Sequence, residues 1–135
     1  MGEATFPKHR HLRRPAEFDR VYAHRCTARN NQVLVFAALS DVGPRIGLSV
    51  GRKHGGAVVR NRIRRLLREA FRQTQSDWPV DCDFVLVPQD AKELTVAELL
   101  ATLPQLARDA ARRARKKGPV EIPATKPPRK RGKSC

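Results

Sequence analysis

The clearest hydrophobic pattern lies in the middle of the chain. Six apolar positions keep the three- and four-residue intervals that mark one face of a helix: Val59, Ile63, Leu66, Leu67, Ala70 and Phe71. This spacing predicts an amphipathic helix from Ala57 to Gln73. The remaining positions are almost all polar, and most of them are arginine. The helix should therefore bury one side in a core and leave the other side uncovered.

Two continuous apolar runs have the length of strands. Residues 33–39 read VLVFAAL and residues 82–88 read CDFVLVP, which predicts two strands buried on both faces. Turn residues at 41–44 predict that the next strand returns antiparallel beside the first of these. Residues 27–31 are polar and fit either a short strand or a turn.

The strand after that turn alternates in character. Ile46, Leu48 and Val50 should face one way, while the small residues Gly47 and Ser49 face the other. A face without bulky side chains suits the floor of a cleft that a nucleic-acid backbone approaches closely. A tight twist or a bulge explains the same glycine equally well.

Two more helices are predicted, one before and one after this central region of the chain. Pro15 suits a first helical position, and apolar residues at 18, 21 and 22 predict a short helix ending near His24. Thr95 and Glu98 form a capping box that starts a second helix, whose apolar spacing continues to residue 113. Pro104 lies inside that helix and should bend or split it.

These elements predict one α+β domain in the order α-β-β-β-α-β-α, with a single sheet packed by helices. A chain of 135 residues is long enough for one modest core. The domain should span residues 15–117. Residues 1–14 are predicted to form a basic N-terminal arm, and residues 118–135 a disordered tail rich in proline, lysine and arginine.

Charge narrows the class of partner. Lysine and arginine number 28 against 13 acidic residues, for a net charge of +15 and a pI near 11.2. Such an excess favours a polyanion, either nucleic acid or an anionic membrane. There is no apolar run of membrane-spanning length and no signal peptide, and the three cysteines are widely spaced. The sequence therefore predicts a soluble cytoplasmic protein that does not bind membranes.

The basic charge is concentrated around the central helix. Between residues 52 and 72 a single acid, Glu69, accompanies eight basic residues: Arg52, Lys53, Arg60, Arg62, Arg64, Arg65, Arg68 and Arg72. Arginine pairs two phosphate oxygens at once, so this composition favours a nucleic-acid backbone over simple solvation. Gly55 and Gly56 precede the helix without a capping side chain, which leaves its first amides open to an anion.

No catalytic or metal-binding constellation is predicted from the residues. Residues 47–51 match the G-x-S-x-G elbow of hydrolases, but only His54 follows Ser49, and no acid stands between them. Ala57 stands where a Walker A loop requires lysine. The histidines and cysteines lack the paired spacing of a zinc site.

A longer motif identifies a family. Residues 46–71 combine a Gly-Leu-Ser-Val strand, a basic turn and a helix that contains the motif Arg60, Asn61 and Arg62. This combination closely resembles the bacterial ribonuclease P protein subunit, and a weaker similarity runs from His11 to Ala111. The resemblance implies a fold similar to a domain of ribosomal proteins and translocating translation factors. It also implies a left-handed β-α-β crossover around the arginine-rich helix, against the usual preference.

The resemblance further implies a function. Such a protein assists a catalytic RNA subunit in removing the 5′ leader of precursor tRNA, with the RNA and the magnesium it holds performing phosphodiester hydrolysis. Its RNA-binding residues would be Arg52, Lys53, Arg60, Asn61, Arg62, Arg64, Arg65 and Arg68. Its leader-binding residues would be Phe18, Tyr22, Val35, Ala37 and Ser49. Two other classes fit the charge: a ribosomal-type structural protein or RNA chaperone, and a DNA-binding helical module.

Overall fold

The order of elements is the one that the sequence predicts. A computed structural model of the chain describes residues 8–118. Its helices and strands are α1 (Pro15–His24), β1 (Cys26–Arg29), β2 (Val33–Leu39), β3 (Ile46–Leu48), α2 (Ala57–Thr74), β4 (Cys82–Pro88) and α3 (Val96–Lys117). Short 3-10 turns precede α1 and flank α2. The α+β class with one sheet is confirmed.

The strand order differs from the prediction at one place. The four strands lie in the order β1-β2-β4-β3, with β2 antiparallel to β4 and β3 parallel to β4. The predicted antiparallel pairing of β3 with β2 is therefore wrong. β4 is buried on both faces, so the backbone N–H and C=O groups along both of its edges need hydrogen-bond partners. β2 supplies them along one edge and β3 along the other. β3, α2 and β4 form a parallel β-α-β unit, whose left-handed crossover stays a prediction.

Helices cover both faces of the sheet. α2 and α3 pack on one face, where alternate β2 residues such as Val35 and Ala37 join the larger hydrophobic core. α1 packs on the other face, over Leu34, Phe36 and Val85. We call this second side the α1 face.

The larger core includes a tryptophan from the predicted loop between α2 and β4. Trp78 is buried, and its ring meets Phe71 and Phe84 edge to face at centroid distances of 4.9 and 5.0 Å. Its indole N–H donates to the Thr74 hydroxyl over 3.0 Å, so the polar end of the ring is satisfied inside the core. This interaction fixes the end of α2 against β4.

Part of the predicted N-terminal arm belongs to the folded domain. Leu12 is buried on the α1 face, and its N–H donates to the Ile46 carbonyl over 2.8 Å. The arm's first seven residues, and the predicted tail from residue 119 onward, lie outside the described residues.

α3 is one helix along its whole length. Thr95 caps it as predicted, accepting a hydrogen bond from the Glu98 N–H over 3.3 Å. Pro104 lies inside the helix and is buried, and the helix continues without a break from Val96 to Lys117, so the predicted split does not occur. None of the helices within residues 8–118 is long and apolar enough to cross a membrane.

Candidate nucleic-acid interface

The buried side of α2 is close to the predicted one. Ile63, Leu67, Ala70 and Phe71 are buried against the sheet and α3. Leu66 is half-buried at the margin of the same core. The prediction was wrong for Val59, which is 41% exposed. The first turn of α2 extends past the core, and the side chain of Val59 lies beside Gly55.

The remaining sides of α2 carry the predicted RNA-binding residues. Arg60 and Arg64 are half-buried at the rim, while the others on the helix are exposed: Asn61, Arg62, Arg65 and Arg68. Arg52 and Lys53 are exposed on the 3-10 turn before the helix. His54 holds that turn near the end of β4, with Nε2 3.1 Å from the Pro88 carbonyl oxygen. The structure thus brings all eight together on α2 and its leading turn, which we call the arginine surface.

The arginine surface has almost no internal counterion. Arg72 pairs with Glu69, and this interaction, aided by Gln73, lowers the pKa of Glu69 to about 2. Among the described residues, the other seven basic side chains between 52 and 68 form no ion pair. Positive charges at this density repel one another unless an anion lies between them.

Hydrogen bonding at this surface leaves some donors unused among the described residues. Gly56 caps α2 through its backbone alone, so no side chain occupies the amides of the first turn. The Arg60 Nε is buried without a hydrogen-bond partner in the described structure. Arg64 donates to the Asn61 side-chain oxygen over 2.9 Å, which orients both side chains along the helix.

A group of aromatic rings lies on the α1 face. Phe18 and Tyr22 are half-buried, with their ring centroids 6.4 Å apart, and Tyr22 meets Phe36 edge to face at 4.9 Å. Phe36 is 6% exposed and supports Tyr22 from below. We call Phe18, Tyr22 and Phe36 the aromatic face. Its two half-exposed rings can stack on unpaired bases of any sequence.

Gly47 explains how Phe18 comes so close to the sheet. A Cβ placed on Gly47 would lie 2.5 Å from the Phe18 Cζ and 3.1 Å from the Leu12 Cβ. Only glycine leaves room for the ring at this point of β3. The open space predicted for a nucleic-acid backbone is therefore filled by the chain's own Phe18.

The predicted leader-binding set needs correction at two residues. Val35 and Ala37 have no exposed surface, because their side of β2 lies beneath α3 in the larger core. Neither can contact a leader, so the prediction was wrong for both. Ser49 is half-buried, and its N–H donates to the Leu86 carbonyl over 3.0 Å. Residue 36 is the β2 position beside the rings, but a strand that is apolar on both faces gives no signal of which face is which.

The aromatic face and the arginine surface adjoin each other. A cavity of about 100 Å³ lies between them, lined by Phe18, Gly47 and Leu48 on the sheet side and by Arg64 and Arg68 of α2. Phe18 therefore lines the same small cavity as two arginines of α2. Within residues 8–118, no group of three or more His, Cys, Asp or Glu side chains could hold a metal ion.

Comparison with known proteins agrees with this geometry. The family model described as Ribonuclease P matches residues 6–111. The chain belongs to the ribonuclease P protein family. A ribonuclease P protein component of Maridesulfovibrio salexigens is 41% identical over 103 residues, which cover 72% of this chain and 83% of the relative. One from Edwardsiella ictaluri is 36% identical, covering 85% and 98% respectively.

Solved structures of ribonuclease P proteins share the fold. The Staphylococcus aureus protein superposes with a TM-score of 0.64 at 28% identity, covering 73% of this chain and 93% of that protein. The Thermotoga maritima protein gives 0.63 at 25% identity, covering 73% and 96%. The chain is therefore an RNA-binding protein of tRNA processing and a subunit of an endoribonuclease holoenzyme.

Proposed function

We propose that this ribonuclease P protein binds two RNAs at once: the catalytic RNA subunit through the arginine surface, and the 5′ leader of precursor tRNA through the aromatic face. The observation that carries the proposal is that these two surfaces meet at one small cavity, which Phe18 lines together with Arg64 and Arg68. The function is the removal of the leader to give the mature tRNA 5′ end. We place this activity in the cytoplasm.

The arginine surface suits a folded RNA. Seven basic side chains without an internal counterion neutralise several phosphates when they bind, and each neutralised phosphate releases condensed cations. The rigid helix sets the spacing of these groups because its other side is locked into the core by Ile63 and Leu67. Binding through phosphates positions the RNA without reading its sequence.

The aromatic face suits an unpaired strand. The rings of Phe18 and Tyr22 are half-exposed, and Tyr22 rests against Phe36, so a base that stacks on them would not require any rearrangement of the sheet. Stacking tolerates any base, which matches a leader of variable sequence.

The chemistry itself belongs to the RNA subunit in this proposal. Magnesium held mainly by the RNA would supply activation of water and stabilisation of charge at the cleaved phosphate. The protein contributes by reducing the repulsion between two polyanions and by fixing the scissile bond near the metal ions. Its residues act as binding groups and none acts as a proton donor or acceptor.

The test is a reconstitution with ribonuclease P RNA and precursor tRNA. At low magnesium, the unmutated protein should raise the rate of leader removal, and Arg60→Ala/Arg62→Ala should lose most of that enhancement. The matched control, Arg29→Ala/Arg112→Ala, removes the same charge from exposed positions on β1 and α3 and should retain it. At high magnesium, the difference in rate between the unmutated protein and Arg60→Ala/Arg62→Ala should become smaller, because magnesium ions then screen the phosphates in place of the arginines.

A ribosomal-type structural protein or RNA chaperone would behave differently. It would bind RNA through the same basic charge without any preference for precursor tRNA that carries a leader. Absence of rate enhancement by the unmutated protein would favour that class.

A further inference from the structure

A buried carboxylate lies beneath α1. Asp83 of β4 has no exposed surface, and it faces α1 beside Ala38 of the neighbouring strand. Arg45 holds both of its oxygens, with Nε 3.1 Å from Oδ1 and Nη2 2.6 Å from Oδ2. Arg20 of α1 reaches the same carboxylate, with Nη1 3.3 Å from Oδ2. A buried charge of this kind is retained only when its partners satisfy it fully.

The ion network reaches α1 at a second residue. The Glu17 Oε2 lies 3.5 Å from the Arg45 Nη1. The Glu17 Oε1 accepts hydrogen bonds from the backbone N–H groups of Arg13 and Arg14. Arg20 also donates to the Leu39 carbonyl at the end of β2. The start and the middle of α1 are thereby tied to β2, to β4 and to the residue before β3.

The apolar surface shared by α1 and the sheet is small by comparison. Val21 is the one hydrophobic side chain of α1 that is fully buried. Phe18 and Tyr22 flank it but remain half-exposed. Rings that must offer a surface to a base cannot also be sunk into a core, so an anchor of another kind is needed to hold the helix.

We propose that Glu17, Arg20 and the Asp83–Arg45 pair are positioning residues for leader binding. They set the height and rotation of α1 over the sheet, and so the distance at which Phe18 meets the leader. This inference rests on the proposed function, because it assumes that the aromatic face binds the leader. None of the four residues touches the RNA itself.

The first test uses Arg20→Met in the reconstituted holoenzyme. Methionine keeps most of the aliphatic length, and Asp83 keeps its two hydrogen bonds with Arg45, so the fold is retained. Affinity for precursor tRNA should fall roughly tenfold, in the range that loss of a stacked base produces. Affinity for tRNA without a leader, and affinity of the protein for ribonuclease P RNA, should stay unchanged.

Arg29→Met is the matched control. It removes the same charge from an exposed position on β1, outside the ion network. A purely electrostatic effect on RNA binding would be shared by both variants, whereas a positioning effect is confined to Arg20→Met. Equal losses in the two variants would overturn the proposal.

A double-mutant cycle with Phe18→Leu separates positioning from general stability. Leucine fills part of the space over Gly47 but cannot stack on a base. If Arg20 acts through the ring, Arg20→Met should cost no further leader affinity once Phe18→Leu is present. Additive losses would contradict a role exerted through the ring.

The outcomes distinguish leader binding by the aromatic face from positioning of that face by the ion network. Unchanged leader affinity in Phe18→Leu alone contradicts leader binding by the aromatic face. A loss in Phe18→Leu without a loss in Arg20→Met contradicts positioning only. If circular dichroism shows Arg20→Met to be unfolded, Glu17→Gln takes its place in the same cycle, because glutamine still accepts the backbone N–H groups but breaks the ionic link. For Glu17→Gln, a smaller loss of affinity that appears only with leader-bearing precursor tRNA supports the proposal. If the affinity does not change, the proposal is refuted.

Discussion

Replacement of Gly47 by alanine tests how closely Phe18 depends on the sheet beneath it. The new methyl group would lie 2.5 Å from the Phe18 Cζ and 2.6 Å from the Cε2. Carbon atoms pack at about 3.5–4.0 Å, so the ring must retreat by about 1 Å. Because the ring is half-exposed, it can move outward more easily than a core side chain.

Two opposing effects set the change in the free energy of unfolding for Gly47→Ala. Overpacking costs about 1–3 kcal/mol, and the lower end applies to a ring that can shift toward solvent. Replacing glycine by alanine returns about 0.4–1 kcal/mol by restricting the unfolded chain. The free energy of unfolding should therefore fall by about 0.5–2 kcal/mol. Leader affinity should fall roughly three- to tenfold, because the displaced ring stacks less completely on the base.

Two assays on one pair of variants measure these effects. Urea unfolding gives the stability change, and titration of the holoenzyme with precursor tRNA gives the leader affinity. Gly51→Ala is the control, because a Cβ at that position meets no atom within 4 Å. If Gly47→Ala matched Gly51→Ala in both assays, the close approach of Phe18 to β3 would be refuted.

Three further predictions concern the fold. Leu67→Ala, at a position with no exposed surface, should lower the free energy of unfolding by about 2–5 kcal/mol in urea, whereas Val58→Ala, 83% exposed, should change it by less than about 0.5 kcal/mol. Arg115 lowers the pKa of Asp81, so Arg115→Gln should reduce the free energy of unfolding at neutral pH. The difference in unfolding free energy between variant and parent should shrink as the pH falls below about 4, because Asp81 then becomes protonated in both proteins. A difference that persists at low pH would contradict the pairing. Burial raises the pKa of Cys82 to about 12, so a thiol reagent at pH 8 should label it only as fast as the protein unfolds, measured by peptide mass mapping.

The sequence predicted local structure well where one pattern decided it. The spacing of Ile63, Leu67 and Phe71 placed α2 within one residue of its observed end, and Thr95 placed the start of α3. The prediction that Val59 is buried was wrong because periodicity gives only the direction of a side chain. The extent of the core decides whether another residue packs against it.

Features that depend on distant parts of the chain were not predictable in this way. The insertion of β4 between β2 and β3 is a choice of partners among strands, which no local pattern encodes. Val35 and Ala37 were assigned to the wrong face because a strand that is apolar on both faces hides its register. Asp83 stands out as a charge within an apolar run, yet its partners Arg45 and Arg20 lie 38 and 63 positions away.

The central claim is that α2 binds RNA phosphates with its arginines while its other side is locked in the core. The most direct measurement is the dependence of ribonuclease P RNA affinity on salt concentration. For Arg60→Ala/Arg62→Ala, the plot of log affinity against log salt should become shallower by up to about 0.9 for each phosphate that the variant no longer neutralises, with weaker binding at every concentration. An unchanged slope, with an unchanged affinity, would contradict the account.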